Sequence, residues 1–175
     1  MNIHELITGP LASDQLGGAE ANALTEPGAL QEAQLVEAQL DVSTGRLGLV
    51  FDLRQALQLR AANTGILVFY GVQQFGWSGS FRETARTAWT VVNSVPDNGY
   101  GSANLALYLV PDGEVNIVAR GGTFYVGDVL GLPEAPPDFT ECSYDAIRAG
   151  MQSLQSAVVL RYAMRTELAD GAKLR

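Results

Sequence analysis

The part of the chain that most restricts its fold is residues 42–80, where two apolar segments flank a polar break. The first apolar segment is residues 47–54 and the second is residues 66–77. Each segment has the length of a strand, and Asn63-Thr64-Gly65, just before the second, supplies residues that favour turns. Both segments are typical of strands in a packed sheet, so the chain is predicted to be rich in β-structure.

Two hairpins are predicted from turn residues that lie between alternating segments. Ser43-Thr44-Gly45-Arg46 is expected to pair residues 34–42 with residues 47–53. Residues 30–42 fit both helical and strand spacing, and strand is favoured for the second half because this turn follows it. Pro111-Asp112-Gly113 is expected to join residues 104–110 to residues 114–119.

Further strands are expected on either side of the second hairpin. Residues 87–95 contain the β-branched and aromatic side chains that favour strands. Arg120-Gly121-Gly122 is predicted to form another turn, and residues 123–126 a short strand after it. Residues 55–60 fit either a strand extension or one helical turn.

The two ends of the chain are predicted to be helical. Asn2 and Glu5 have the spacing of a capping box for a helix within residues 1–8. Ser143 is a suitable N-cap for a helix near the other end, and the apolar stripe that follows it has helical spacing: Ile147, Met151, Leu154 and Val158. Residues 157–164 fit either a continuation of that helix or a last strand.

Together these patterns predict an α+β fold. We expect a predominantly antiparallel β-sheet, sandwich-like or curved, with a short N-terminal helix and a C-terminal helix. The 175 residues suit one domain, since single domains commonly have about 100–200 residues. Within it we expect an N-terminal extension at 1–28, a β-rich core at 29–132 and a helical segment at 143–165.

Composition limits the possible partners and the compartment. The net charge of −8 disfavours nucleic acid, because an acidic surface repels phosphates. Cys142 is the only cysteine, so a reducing, cytoplasmic setting is expected. The sequence has neither a basic, apolar leader nor an apolar run of about 18 residues, so we expect no secretory signal and no membrane association.

The residues required for common catalytic and cofactor sites are scarce. His4 is the only histidine, and Cys142 follows the acidic Glu141, which disfavours a reactive thiolate. Gly76-Trp77-Ser78-Gly79 lacks the spacing of a nucleophile elbow. One histidine and one cysteine cannot build a usual zinc site, and the glycine-rich segments lack the Gly-Lys-Ser/Thr of a phosphate loop. We therefore predict no catalytic residues, metal or cofactor.

Two sets of residues are candidates for binding. Trp77, Trp89 and Tyr100 are predicted to line a pocket on the sheet, although core packing explains most aromatic residues in strands. A second set, consisting of Phe81, Arg82 and Arg86, lies in residues 78–86 and is a candidate interface, since aromatic and arginine side chains often anchor protein contacts. A solvated loop with one inward phenylalanine is the alternative for this segment.

The sequence resembles small actinobacterial proteins of the immunity protein 50 type. The resemblance is carried by core residues in segments 49–60, 63–65, 71–77, 86–89 and 124–133. It implies a protein that neutralises a partner toxin by binding it. We thus expect a non-enzymatic intracellular protein-binding factor, with another protein or a second copy as partner. A small-molecule binding module is the alternative, and an enzyme that uses carboxylates is the third possibility.

Overall fold

A computed structural model describes residues 1–10, 16–80, 86–99 and 101–166. These residues form two short helices and seven strands, which confirms a mostly antiparallel α+β fold. The helices are α1 (Ile3–Thr8) and α2 (Tyr144–Ala149). The strands are β1 (Gln34–Asp41), β2 (Arg46–Asp52), β3 (Thr64–Ser78), β4 (Trp89–Asp97), β5 (Ala103–Val110), β6 (Gly113–Val129) and β7 (Val158–Arg165).

Six of the strands form a closed antiparallel ring. The sheet runs in the order β3-β2-β1-β4-β5-β6-β7, and β3 also pairs with β6. The pairing of β3 with β6 therefore closes the ring. Strand β7 is not part of the ring and pairs with the second half of β6. The junction of β1 and β4 is short: Gln34 pairs with Thr90, and Leu35 pairs with Trp89.

Two long strands, β3 and β6, hold the ring together. They pair along almost their whole length, from Thr64 opposite Gly127 to Ser78 opposite Glu114. The first half of β6 pairs on its other edge with β5, and the second half with β7. Each half of β6 therefore has a strand on both edges, as expected because buried backbone groups need hydrogen-bond partners.

Both predicted hairpins are confirmed, but the predicted turn at Arg120-Gly121-Gly122 is wrong. Those residues lie inside β6, which continues without interruption. A Cβ atom at Gly121 would lie 2.3 Å from the ring of Tyr70 on the paired strand. A glycine is therefore needed at this position because the Tyr70 ring lies against its backbone. The residues next to Gly121 in the sequence do not reveal this contact.

Two hydrophobic cores lie on opposite faces of the sheet. The inner core fills the ring and includes Leu49, Phe69 and Phe124. The outer core lies between the sheet and α1, where Ile7 packs with Val68. Strands β2, β3 and β6 contribute alternate residues to the two cores, which explains why their sequences are almost continuously apolar.

Residues near the N-terminus are part of both cores, which differs from the extension expected at 1–28. The capping box of Asn2 and Glu5 is present, and Ile3, Leu6 and Ile7 of α1 are fully buried. Leu24 is also buried and belongs to the inner core. The small and apolar residues of this segment fill space that the strands alone leave open.

The C-terminal helix is shorter than expected, and the helical interpretation of residues 157–165 is wrong. Helix α2 ends at Ala149 with Gly150 as its C-cap. Residues from Val158 onward form β7, which pairs with the second half of β6. The β-branched and aromatic residues of this segment suit a strand, and β6 offers an edge that needs a partner.

Candidate functional site

A groove lies between the start of β1, residues 86–89, which lead into β4, and residues 139–155, which include α2. We call it the β1–α2 groove. Its volume is about 740 Å³, within the range of roughly 300–1,000 Å³ that is common for small-molecule sites. Apolar side chains, among them Trp89, Ile147 and Met151, form part of its wall.

One wall of the groove is held in place by Arg54. Its guanidinium donates to the carbonyl oxygens of Pro133 at 2.9 Å, Ala135 at 3.2 Å and Gly150 at 2.8 Å. It also pairs with the Asp52 carboxylate at 2.5 Å, and the two side chains are only 4% and 1% exposed. Asp52 keeps the buried cation neutralised, while the cation binds backbone groups at both ends of the segment that carries α2.

Two buried glutamines contribute to the wall of the groove. Gln34 is 8% exposed and Gln152 is 3% exposed. The amide nitrogen of Gln34 donates to the Gln55 Oε1 atom at 3.4 Å. That of Gln152 donates to the Asn63 carbonyl oxygen at 2.9 Å and to the Thr64 hydroxyl at 3.1 Å. The Oε1 atoms of Gln34 and Gln152 are buried and have no hydrogen-bond partner among the described residues.

A cationic and aromatic cluster forms another part of the groove. The Arg86 guanidinium carbon lies 3.5 Å from the centroid of the Tyr144 ring, close enough for a cation–π interaction. The Arg148 guanidinium lies 3.4 Å from the Tyr144 hydroxyl and donates to it. Tyr144 and Arg148 are four residues apart on α2, so the helix places them on one face.

The structure brings together only part of each predicted binding set. The rings of Trp77 and Trp89 meet edge to face, with centroids 5.0 Å apart at an angle of 85°. Trp89 lines the groove, whereas Trp77 does not. Arg86, from the other set, lines the same groove as Trp89. Tyr100, Phe81 and Arg82 lie outside the described residues.

Neither of the residues considered for catalysis, His4 and Cys142, lines the groove. The His4 ring nitrogen Nδ1 lies 3.1 Å from the Gln39 Oε1 atom, and Cys142 is a half-buried free thiol. In the described ranges, no three His, Cys, Asp or Glu side chains are placed to bind a metal ion. The described helices include none that is long and apolar enough to span a membrane.

Sequence reasoning missed most of the groove, including Gln34, Gln152, Arg148 and Tyr144. The spacing of Tyr144 and Arg148 on a helix was visible in the sequence, but nothing indicated what they would face. The burial of the two glutamines has no sequence signal, because it depends on strands and loops that are distant along the chain.

Comparisons with known proteins add little about function. No protein-family model matches the sequence, and no curated protein matches it. A crystal structure of an uncharacterised protein from Neisseria gonorrhoeae is similar at 11% sequence identity and a TM-score of 0.41. The similarity covers 57% of this chain and 94% of that one. None of these comparisons concerns immunity proteins, so that resemblance stays a prediction.

Proposed function

We propose that this protein is a non-enzymatic binding module and that its ligand is a small molecule held in the β1–α2 groove. The observation that carries this proposal is the pair of unbonded amide oxygens, on Gln34 and Gln152, in a groove of about 740 Å³. The proposal favours the small-molecule alternative over the protein-binding expectation, because a concave site with a few polar groups suits a small ligand.

The unbonded oxygens support a ligand because they are costly in the free protein. Leaving a buried acceptor without a partner costs about 1–3 kcal/mol. A ligand that carries an N–H or O–H group and reaches either acceptor recovers part of that cost. The apolar wall formed by Trp89, Ile147 and Met151 then covers the rest of the ligand.

A direct test uses N-phenyl-1-naphthylamine, a neutral dye that has one N–H donor and fluoresces more strongly in apolar surroundings. We expect saturable binding to the parent protein. The Ala88→Phe variant should abolish it, because Ala88 lines the groove and a phenyl ring there occupies the space of the dye.

The matched control is Ala106→Phe, which introduces the same side chain on β5, outside the groove. This variant should bind the dye as the parent does. If the parent does not bind the dye, or if both variants bind it equally well, the proposed function is wrong.

A second candidate is protein binding, the role implied by the immunity-type resemblance. It is favoured by four large apolar side chains that are exposed on β4 and β5: Val92, Val95, Tyr108 and Val110. Exposed apolar patches often mark protein contacts. The partner would be another protein or a second copy of the chain. If the resemblance to immunity proteins holds, the other protein is a toxin.

Sedimentation at increasing protein concentration tests self-association through this face. If a second copy covers it, the parent dimerises and Tyr108→Lys stays monomeric, with Leu130→Lys as a control at an exposed apolar residue outside β4 and β5. A parent that remains monomeric at all concentrations excludes self-association. If the parent then captures one protein from a lysate in a fixed ratio, and Tyr108→Lys does not, a partner other than a second copy of the chain is supported.

A further inference from the structure

We infer that the ligand of the β1–α2 groove carries an anionic oxygen group, and that this group binds the guanidiniums of Arg86 and Arg148. The inference rests on the proposed function and adds the chemical class of the ligand. It predicts an anion at one end and an apolar or planar body with an N–H or O–H donor at the other.

The charge of the groove is opposite to that of the protein. Among the described residues, the charged ones that line it are Arg86, Arg148 and Glu37, so two positive charges and one negative charge give a formal +1. The whole chain carries −8. The groove is therefore where the local potential attracts an anion, whereas the rest of this acidic surface repels one.

Both guanidiniums have donors to spare. Arg86 stacks on the face of the Tyr144 ring, a contact that uses none of its N–H groups. Within the described part of the chain, the side-chain hydrogen bond of Arg148 goes to the Tyr144 hydroxyl. Neither forms an ion pair with a carboxylate among the described residues. Because both contact the same ring, the two guanidiniums lie close together. A guanidinium binds a carboxylate or phosphate through two parallel hydrogen bonds.

The rest of the groove suits the body of such a ligand. Trp89 and Phe139 line it together with Met151, and aromatic and thioether side chains pack well against planar groups. The acceptors of Gln34 and Gln152 match a donor on that body. The groove therefore has positive, apolar and acceptor groups, which together match an amphipathic anion.

Two dyes that differ in one group test the inference. The dye 5-anilinonaphthalene-1-sulfonate has the same ring system and N–H as N-phenyl-1-naphthylamine and adds a sulfonate at the opposite end of the naphthalene. We expect the sulfonate dye to bind the parent at least about tenfold more tightly, since a tenfold change corresponds to about 1.4 kcal/mol and hydrogen bonds to charged groups exceed that value.

Arg86→Gln and Arg148→Gln should each remove most of this preference, which is measured as the ratio of the two dye affinities for the same variant. Both side chains are exposed, so both variants should fold, and circular dichroism checks this. Arg120→Gln is the control, because Arg120 is an exposed arginine of β6 outside the groove, and it should keep the preference.

The outcomes separate the inference from the proposed function. If the neutral dye binds but the sulfonate adds no affinity, or if the arginine variants do not change the preference, the inference is wrong and the binding module stands. If neither dye binds, both are wrong. Displacement by phenylacetate and by phenyl phosphate distinguishes a carboxylate ligand from a phosphate ligand, and displacement by neither, at concentrations up to the millimolar range, counts against the inference.

Discussion

Arg54 pairs with Asp52, two residues before it on the chain, and the same guanidinium binds carbonyl oxygens of Pro133, Ala135 and Gly150. One ion pair at the end of β2 therefore fixes both ends of the segment that forms a wall of the groove. The interaction links the stability of the sheet to the shape of the candidate binding site.

Replacing Arg54 with methionine should lower the free energy of unfolding by about 3–5 kcal/mol, because Asp52 would remain buried without a counter-charge. Urea denaturation measures this change. The double variant Asp52→Leu/Arg54→Met should recover part of the loss, since it removes the uncompensated charge. A single variant as stable as the parent would show that the pair is open to solvent.

Replacing Gly48 with alanine should destabilise the protein by about 1–3 kcal/mol through overpacking. A Cβ atom at this position in β2 would lie 2.3 Å from the Ile7 Cδ1 atom of α1. Gly76→Ala is a matched control within a strand, where the nearest atom would be 4.0 Å away. Thermal melting of both variants measures the difference, and equal melting temperatures would show that α1 does not pack on β2 as described.

Truncating Trp89 to alanine should cost about 3–5 kcal/mol, as is typical of buried tryptophan. Trp89 is 8% exposed and packs against Trp77, so core packing, the general explanation for aromatic residues in strands, applies to most of its side chain. Val92→Ala, at an exposed position of the same strand, should change stability by less than about 0.5 kcal/mol. Chemical denaturation of both variants tests this contrast.

The turn between β1 and β2 should lose stability in acid. Hydrogen bonds from the hydroxyls of Ser43 and Thr44 lower the pKa of the Asp41 carboxyl. A carboxyl with a lowered folded-state pKa stabilises the fold above its unfolded pKa of about 3.9. This contribution is lost as the pH falls through the folded-state pKa.

Carbon-detected NMR titration of the Asp41 carboxyl measures this effect. The midpoint should lie below the ordinary value for aspartate in the parent and rise toward it in Ser43→Ala. Asp138, whose pKa is lowered by hydrogen bonds from Thr140, is the internal comparison and should titrate identically in the two proteins. An unchanged Asp41 midpoint in the variant would contradict the assigned cause.

Local sequence patterns predicted the hairpins because turn residues and alternating segments act over a few residues. Ser43 to Arg46 and Pro111 to Gly113 are of this kind. Strand β7 was ambiguous because residues 157–164 suit a helix and a strand about equally, and only the available edge of β6 decides between them. Gly121 was assigned to a turn because no local pattern shows what requires a glycine there. The requirement comes from the Tyr70 ring on the paired strand, which leaves no space for a Cβ atom.

The sequence identified residues of the candidate site only where the residue type alone suggests binding, as it does for arginine and aromatic residues. Arg86 and Trp89 were selected from the sequence as an arginine and an aromatic residue, but they were assigned to different sites. Gln34 and Gln152 were not selected at all, because a glutamine has no distinctive pattern until the fold buries its amide. Their role depends on contacts with Gln55, Asn63 and Thr64 that no local pattern encodes.

The most direct test of the central claim is a ¹H–¹⁵N NMR spectrum of the assigned protein, free and saturated with N-phenyl-1-naphthylamine. The account predicts that the side-chain amide signals of Gln34 and Gln152 shift together with the indole signal of Trp89. The backbone amides of Ala106 and Tyr108, on β5 outside the groove, should not move. Shifts confined to β4 and β5, with the two glutamine signals unchanged, would contradict a binding site in the β1–α2 groove.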